Sequence, residues 1–185
     1  MNRTLLSALW PESMAHATNK VMLVLAGVAL LTLSAKIQVP FWPVPMTLQT
    51  LAVLLIGATY GARLAGSTLI AYLAAGAVGV PVFATGAGLA YMAGPTAGYL
   101  AGFLVAAVVV GWLADRGHGR GIVSALVVFA IGEVAIFALG TGWLSVLIGP
   151  DKAVSAGLLP FIPGEALKLA LATAVLSAGW KQAKS

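Results

Sequence analysis

The sequence predicts an all-α membrane protein that crosses the bilayer with six transmembrane helices. Of its 185 residues, 61% are hydrophobic and only 8% are charged, whereas about a quarter of the residues of a soluble domain carry a charge. Six long apolar runs alternate with connections that are rich in proline, glycine or basic residues. Because so apolar a surface requires the lipid bilayer as its solvent, we expect a multi-pass membrane protein.

The same composition excludes several classes of function. The chain contains no cysteine, so it forms neither disulfides nor cysteine-ligated metal sites. Its ten basic residues are scattered singly rather than clustered with aromatic residues, which argues against nucleic-acid binding. No phosphate-binding glycine motif is present, and His16 and His118 are far apart in sequence. We therefore predict no catalytic residues, no metal, no cofactor and no ATP hydrolysis by this chain alone.

Residues 1–19 are predicted to precede the transmembrane domain, which comprises residues 20–185. Leu9 and Trp10 lie among polar residues in this first segment. That mixture suits either an interfacial segment on the membrane surface or a disordered tail. The first span is predicted at residues 21–35, where a lysine flanks the apolar run on each side.

The connection after the first span, residues 37–47, contains three prolines. Proline lacks a backbone donor, and it biases the residue before it toward extended backbone. We therefore predict a rigid, extended loop here. The second span is predicted at residues 48–60 and the third at residues 64–78, joined by a tight turn at residues 61–63.

Residues 79–96 form a glycine-rich connection that carries no charge. Because a solvated loop is normally polar, we expect this one to fold back into the protein and line a cavity. The fourth span, residues 97–114, begins beside Gly94, Gly98 and Gly102, whose spacing of four places them on one helix face. Tight helix packing is predicted for Gly102, whereas packing and ligand contact stay equally open for the other two.

The fifth span is predicted at residues 121–140, with Glu133 inside it, and a long loop follows at residues 141–163 before the sixth span. Basic residues then give the orientation, because cytoplasmic loops carry more of them. Seven of them would share a side with the termini and two would lie opposite. The seven are Arg3, Lys20, Arg63, Arg116, Arg120, Lys181 and Lys184, and the two are Lys36 and Lys152. We predict cytoplasmic termini and a ligand site among the three long outer loops.

Glu165 and Lys168 lie at the start of the sixth span, three residues apart and therefore on nearly the same helix face. An unpaired charge within the bilayer costs from about 3 to more than 10 kcal/mol, so something must compensate both groups. A polar ligand or an ion path is one interpretation, and a Glu–Lys pair that satisfies itself near the interface is the other. We further predict that Glu133 pairs with Lys168, which would leave Glu165 free to accept hydrogen bonds.

Aromatic side chains accompany this charged pair in the outer loops and at the adjoining helix start. They are Phe41, Trp42, Phe83, Tyr91 and Tyr99. A carboxylate accepts N–H donors, an ammonium group attracts a carboxylate, and aromatic rings wall an apolar body. These groups suit a small amphipathic molecule held in a mostly apolar pocket.

Three motifs carry a family resemblance. Residues 43–51, 94–100 and 163–168 read PVPMTLQTL, GPTAGYL and PGEALK. In order and spacing they resemble the hallmark segments of the BioY family, the biotin-specific substrate-binding (S) components of energy-coupling-factor (ECF) transporters. The resemblance extends over residues 20–180.

The resemblance implies a six-helix S component that binds biotin from the outer side of the cell's inner (plasma) membrane. It implies a transmembrane coupling subunit and ATPase subunits as partners. Glu165 would accept hydrogen bonds from the ureido ring, and Lys168 would orient Glu165 or meet the biotin carboxylate. The implied substrate-binding residues, with the aromatic wall included, are Glu165, Lys168, Gln49, Thr85, Tyr91, Tyr99, Phe83 and Trp42.

Two features depart from the family pattern. Many relatives have aspartate in place of Glu165. In the first span, Ala26 and Gly27 are followed four positions later by Leu30 and Leu31, where a small residue would complete the motif for docking the coupling subunit. Two other functions stay open: an intramembrane enzyme, although clustered acids are lacking, and a non-binding assembly subunit whose charges pair internally.

Overall fold

The computed structural model of the protein describes residues 4–11 and 16–183. Nine α-helices and a two-stranded hairpin form within these ranges, and one 3₁₀ helix precedes the last α-helix. The elements are α1 (Leu5–Leu9), α2 (Ala17–Lys36), β1 (Gln38–Val39), β2 (Met46–Thr47), α3 (Gln49–Tyr60), α4 (Ala62–Ala77), α5 (Gly88–Met92), α6 (Ala97–Asp115), α7 (Ile122–Ile148), α8 (Pro150–Gly157), the 3₁₀ helix Leu159–Phe161 and α9 (Ile162–Gln182). The all-α fold class is thus confirmed.

Six long helices, α2, α3, α4, α6, α7 and α9, occupy the positions of the six predicted spans. Among the described residues, four segments are long and apolar enough to cross a membrane, namely α2, α6, α7 and the stretch that ends with α9. The other two helices are shorter: α3 has 12 residues and α4 has 16, or about 18 and 24 Å against a hydrocarbon core of about 30 Å. The number of complete crossings and the cytoplasmic termini therefore stay predictions.

The N-terminal segment contains the short helix α1, which packs on one end of the bundle. Thr4 and Ser7 cap this helix reciprocally, and Leu5 is buried in an apolar cluster with Leu51 and Trp180. The predicted division at residue 19 remains untested, and Arg3 and Lys184, which entered the charge count, lie outside the described residues.

The proline-rich connection forms the hairpin β1–β2, in which Gln38 pairs with Thr47 and Val39 with Met46. The predicted extended backbone is confirmed for these strand residues. The next predicted turn is a single residue, Gly61, whose φ of +80° joins α3 to α4. Glycine adopts this left-handed region readily because it has no Cβ.

The predicted long loop at residues 141–163 is wrong. Helix α7 continues to Ile148 and ends at Gly149, where φ is +87°. Pro150 then begins α8, and the 3₁₀ helix leads into α9. The glycines at 140 and 142 did not end α7, and Gly140 packs against the ring of Tyr99. The helical pattern therefore runs through two residues of low helix propensity.

Helices α6 and α7 approach closely along the glycine stripe. A Cβ added at Gly102 would lie 2.8 Å from the Cα atom of Ile136, and one added at Gly98 would collide with the carbonyl oxygen of Leu139. Gly94 contributes its carbonyl, which accepts a hydrogen bond of 2.9 Å from the indole of Trp143. The stripe thus serves helix packing at Gly98 as well as at Gly102.

The two ends of the bundle differ in construction. At one end the connections are short, and the carboxylate of Asp115 accepts a hydrogen bond from the backbone of Ala62 at 3.0 Å. The hairpin, the connection at residues 78–96 and the 3₁₀ helix meet at the opposite end. Phe83 is buried there, which confirms that the uncharged loop folds back into the protein.

Candidate ligand-binding cavity

A cavity of about 480 Å³, measured with its open mouth, lies where these connections meet. Residues from the hairpin, α3, α5, α6, α7, the 3₁₀ helix and α9 surround it. The lining comprises Val44, Pro45, Thr47, Gln49, Thr50, Phe83, Ala84, Tyr91, Thr96, Tyr99, Leu100, Phe103, Phe137, Phe161 and Glu165. A mostly apolar wall with a few polar groups is typical of a site for a small organic ligand.

Two groups of stacked or edge-on rings form the aromatic wall. Phe83 stacks on Tyr91 with ring centroids 5.1 Å apart. Tyr99 contacts Phe137 and Phe161 at centroid distances of 5.9 and 6.5 Å, and its hydroxyl donates a 2.6 Å hydrogen bond to the carbonyl of Gly157. This bond ties the wall to α8, so the rings are held in place without a ligand.

The polar side of the cavity is a network around Glu165. Lys168 donates to one carboxylate oxygen of Glu165 at 2.7 Å, and the hydroxyl of Thr50 donates to the other at 2.7 Å. Both charged side chains are buried. Each carboxylate oxygen can accept a further hydrogen bond, so Glu165 is oriented toward the cavity and retains acceptor capacity for a ligand.

Lys168 is fully engaged by the protein itself. Besides Glu165, its ammonium group donates to the carbonyl of Thr47 at 2.6 Å and to the hydroxyl of Thr50 at 3.1 Å. An ammonium group has three N–H donors, and all three are used. The predicted pair between Glu133 and Lys168 is therefore wrong. Lys168 lies one turn from Glu165 on the same helix, and the carbonyl of Thr47 in the hairpin is also within hydrogen-bond distance. Lys168 therefore bonds these groups and not Glu133.

Gln49 begins a chain of hydrogen bonds that supports the cavity wall. Its amide nitrogen donates to the hydroxyl of Tyr72 at 2.7 Å, and Tyr72 donates in turn to the carbonyl of Val82 at 3.0 Å. Lys36 adds a 2.6 Å bond to the carbonyl of Phe83. These bonds fix the backbone that carries Phe83 and so position one half of the aromatic wall.

Removing the hydroxyl of Tyr72 tests this support. We expect Tyr72→Phe to destabilise the fold by about 1–3 kcal/mol, because the buried amide of Gln49 and the carbonyl of Val82 both lose a partner. Thermal unfolding in detergent and hydrogen exchange at residues 82–84 would measure the effect. Tyr91→Phe is the control, since no described residue bonds its hydroxyl; an equal loss in both variants would contradict the assignment.

The structure brings six of the eight predicted site residues together. Gln49, Phe83, Tyr91, Tyr99 and Glu165 line the cavity, and Lys168 lies directly behind Glu165.

Thr85 and Trp42 do not line the cavity. Thr85 is exposed, and the side chain of Trp42 is 86% exposed near the tip of the hairpin. This ring lies beside Leu147 and Ile148 at the outer surface, which sequence proximity to the motif could not reveal.

Sequence reasoning missed several lining residues. Thr50 lies within the first motif beside Gln49. Phe137 follows Glu133 by one helical turn, and helical spacing could have placed it on the same face. Phe161 precedes the third motif and had no signal of its own. Within the described ranges, no three His, Asp or Glu side chains are grouped to hold a metal ion.

Comparison with known proteins is consistent with this architecture. The sequence matches the family model described as the BioY family over residues 4–185. It is 38% identical over 157 residues to the probable biotin transporter BioY of Pyrococcus horikoshii, covering 84% of this chain and 93% of that protein. It is 36% identical over 157 residues to the biotin transporter BioY of Thermotoga maritima, covering 83% and 92%.

A solved structure shares the fold. The crystal structure of the S-component for biotin from an ECF-type ABC transporter superposes with a TM-score of 0.77 at 23% sequence identity, covering 87% of this chain and 90% of that one. At 23% identity this comparison shows only that the two proteins share a fold. The family model and the curated relatives are what show membership of a family. Together they establish that this chain belongs to the BioY family.

Proposed function

We propose that this chain binds biotin in the cavity beside Glu165 and acts as the S component of an ECF transporter in the plasma membrane. Its curated relatives are named biotin transporters, and the solved protein of similar fold is an S component for biotin. Transport rather than catalysis is accordingly the function of the chain. The single observation that carries the site assignment is the Glu165 carboxylate, which Lys168 and Thr50 hold at the cavity wall.

The chemistry of biotin matches the two sides of the cavity. Its ureido ring presents two N–H donors, which a carboxylate accepts as charge-assisted hydrogen bonds. Its fused sulfur ring and aliphatic chain are apolar and suit the rings of Phe83, Tyr99 and Phe161. Lys168 has no N–H left for the biotin carboxylate, so of the two roles considered for it, orienting Glu165 is the one that its contacts support.

The energy for uptake would come from partner subunits. The chain has no nucleotide-binding motif, and we propose a transmembrane coupling subunit with two ATPases as its partners. Helix α2 offers a surface for the coupling subunit, since Ala26 and Ala29 are exposed on it. Gly27 is not available, because it packs against Thr68 of α4.

Equilibrium binding of labelled biotin to the purified protein in detergent tests the proposal. We expect saturable binding at one site per chain. Desthiobiotin, which keeps the ureido ring, should compete, whereas lipoic acid, which keeps only an apolar ring and an acidic chain, should not.

Two outcomes would contradict the proposal. A folded protein without saturable binding would favour an assembly subunit instead. Equal competition by desthiobiotin and lipoic acid would remove Glu165 as the acceptor of the ureido group.

A further inference from the structure

Glu133 is a buried acid that the proposed transport function does not use. It lies in the middle of α7, only 6% exposed. Neither of its carboxylate oxygens accepts a hydrogen bond from any described residue. A buried polar group without a partner is strongly disfavoured, and a buried charge even more so, so Glu133 requires a compensating group.

The neighbouring donors are already committed. All three N–H groups of Lys168 bind Thr47, Thr50 and Glu165, and the hydroxyl proton of Thr50 binds Glu165. The charged groups that act on Glu133 are Glu165 and Lys168, and of these only the carboxyl of Glu165 can share a side-chain hydrogen bond with it. Two ionised carboxylates offer only acceptors, so such a bond forms only when a proton lies between them.

Charge counting leads to the same requirement. Glu133 and Glu165 would contribute two negative charges against the single positive charge of Lys168. Apart from Tyr60 in α3 and Tyr99 in α6, whose phenols are neutral near pH 7, α3 contains no ionisable side chain and α6 has only Asp115, which lies at its far end and accepts a hydrogen bond from Ala62. In α8, Asp151 and Lys152 are exposed to the surroundings. One further positive charge is therefore needed in the buried cluster.

We propose that Glu133 holds a proton and donates it as a hydrogen bond to the carboxylate of Glu165, so that Glu133 is a positioning residue of the ligand site. The bound proton makes the cluster of Glu133, Glu165 and Lys168 electrically neutral. It also gives Glu165 a third donor, after Lys168 and Thr50, and thereby fixes the direction of its remaining acceptor sites. This inference rests on the proposed function only in taking Glu165 as the ligand's acceptor.

Infrared spectroscopy of the ligand-free protein tests the proton directly. We expect the C=O stretching band of a buried protonated carboxyl, shifted by exchange into D₂O. The band should disappear in Glu133→Gln, whose amide mimics the neutral acid. Absence of the band in the wild-type protein, or an unchanged band in Glu133→Gln, would overturn the proposal. The readout needs no biotin, so it stays informative if the chain binds another ligand.

Biotin affinity tests the positioning role. We expect Glu133→Gln to retain the wild-type affinity, because its N–H can donate to Glu165. Glu133→Met, of similar length but without a donor, should bind about 10- to 100-fold more weakly, the range for a hydrogen bond to a charged group. An affinity of Glu133→Gln as low as that of Glu133→Met would overturn the role.

The dependence of biotin affinity on pH distinguishes a proton on Glu133 from a packing effect of its side chain and from a bound cation. Raising the pH removes the proton, places a second charge beside Glu165 and should weaken wild-type binding, whereas Glu133→Gln should keep its affinity over the same range. Parallel profiles in both proteins would overturn the proposal. So would a wild-type affinity that depends on Na⁺ at constant ionic strength, because a metal cation rather than a proton would then supply the charge.

Discussion

Replacing Lys168 by methionine is expected to lower the free energy of unfolding by about 3–5 kcal/mol, the usual consequence of removing one partner from a buried ion pair. Glu165 would remain buried without its 2.7 Å bond from the ammonium group, and the hairpin carbonyl of Thr47 would lose its 2.6 Å bond. Biotin binding should weaken as well, because the carboxylate is no longer held at the cavity wall. Chemical or thermal unfolding in detergent and equilibrium binding would measure the two effects.

The double variant Glu165→Gln/Lys168→Met separates stability from ligand binding. Without any charge to bury, it should regain much of the lost stability, since neutral replacement of a buried pair is often tolerated. It should not regain biotin binding, because the charged acceptor is gone. Lys152→Met is the matched control, since Lys152 is exposed on α8. Recovery of wild-type affinity in the double variant would show that the ligand does not use the charge of Glu165.

Substituting Gly102 by alanine is expected to destabilise the bundle by about 1–3 kcal/mol, although alanine is the better helix former. The added methyl group would lie 2.8 and 2.9 Å from the Cα and carbonyl oxygen of Ile136. These are backbone atoms and cannot move aside as a flexible side chain would, so α6 and α7 would have to separate. The midpoint of thermal unfolding in detergent measures the loss.

Gly142→Ala provides the matched control on α7. A Cβ at this position meets no atom within 4 Å, so the substitution should be neutral or stabilising by up to about 1 kcal/mol. If both glycine variants unfolded at the same temperature, close contact along the stripe would not limit stability. If only Gly142→Ala were destabilised, the assigned helix faces would be incorrect.

Local sequence signals predicted most of the helix positions. Pro163 lies in the first turn of α9, as expected from its fixed φ and missing donor, and Glu165 follows in the same turn. The interval of three residues to Lys168 was sufficient to place these two side chains together, because helix geometry depends on nearest neighbours along the chain. The end of α7 was missed because glycines at 140 and 142 resemble helix breakers, and only the structure shows that Gly140 packs against the ring of Tyr99 in α6.

The sequence by itself determined that this is an all-α membrane protein with several long apolar helices, and that an acid and a base begin the last of them. These properties follow from composition and short-range periodicity, which need no knowledge of distant contacts. Only the tertiary structure decided that Lys168 binds the Thr47 carbonyl, 121 residues away in sequence, that Trp42 is largely exposed and that Glu133 is buried without a hydrogen-bond partner among the described residues. Contacts between distant segments depend on the packing of whole helices, and spacing along the chain does not encode that packing directly.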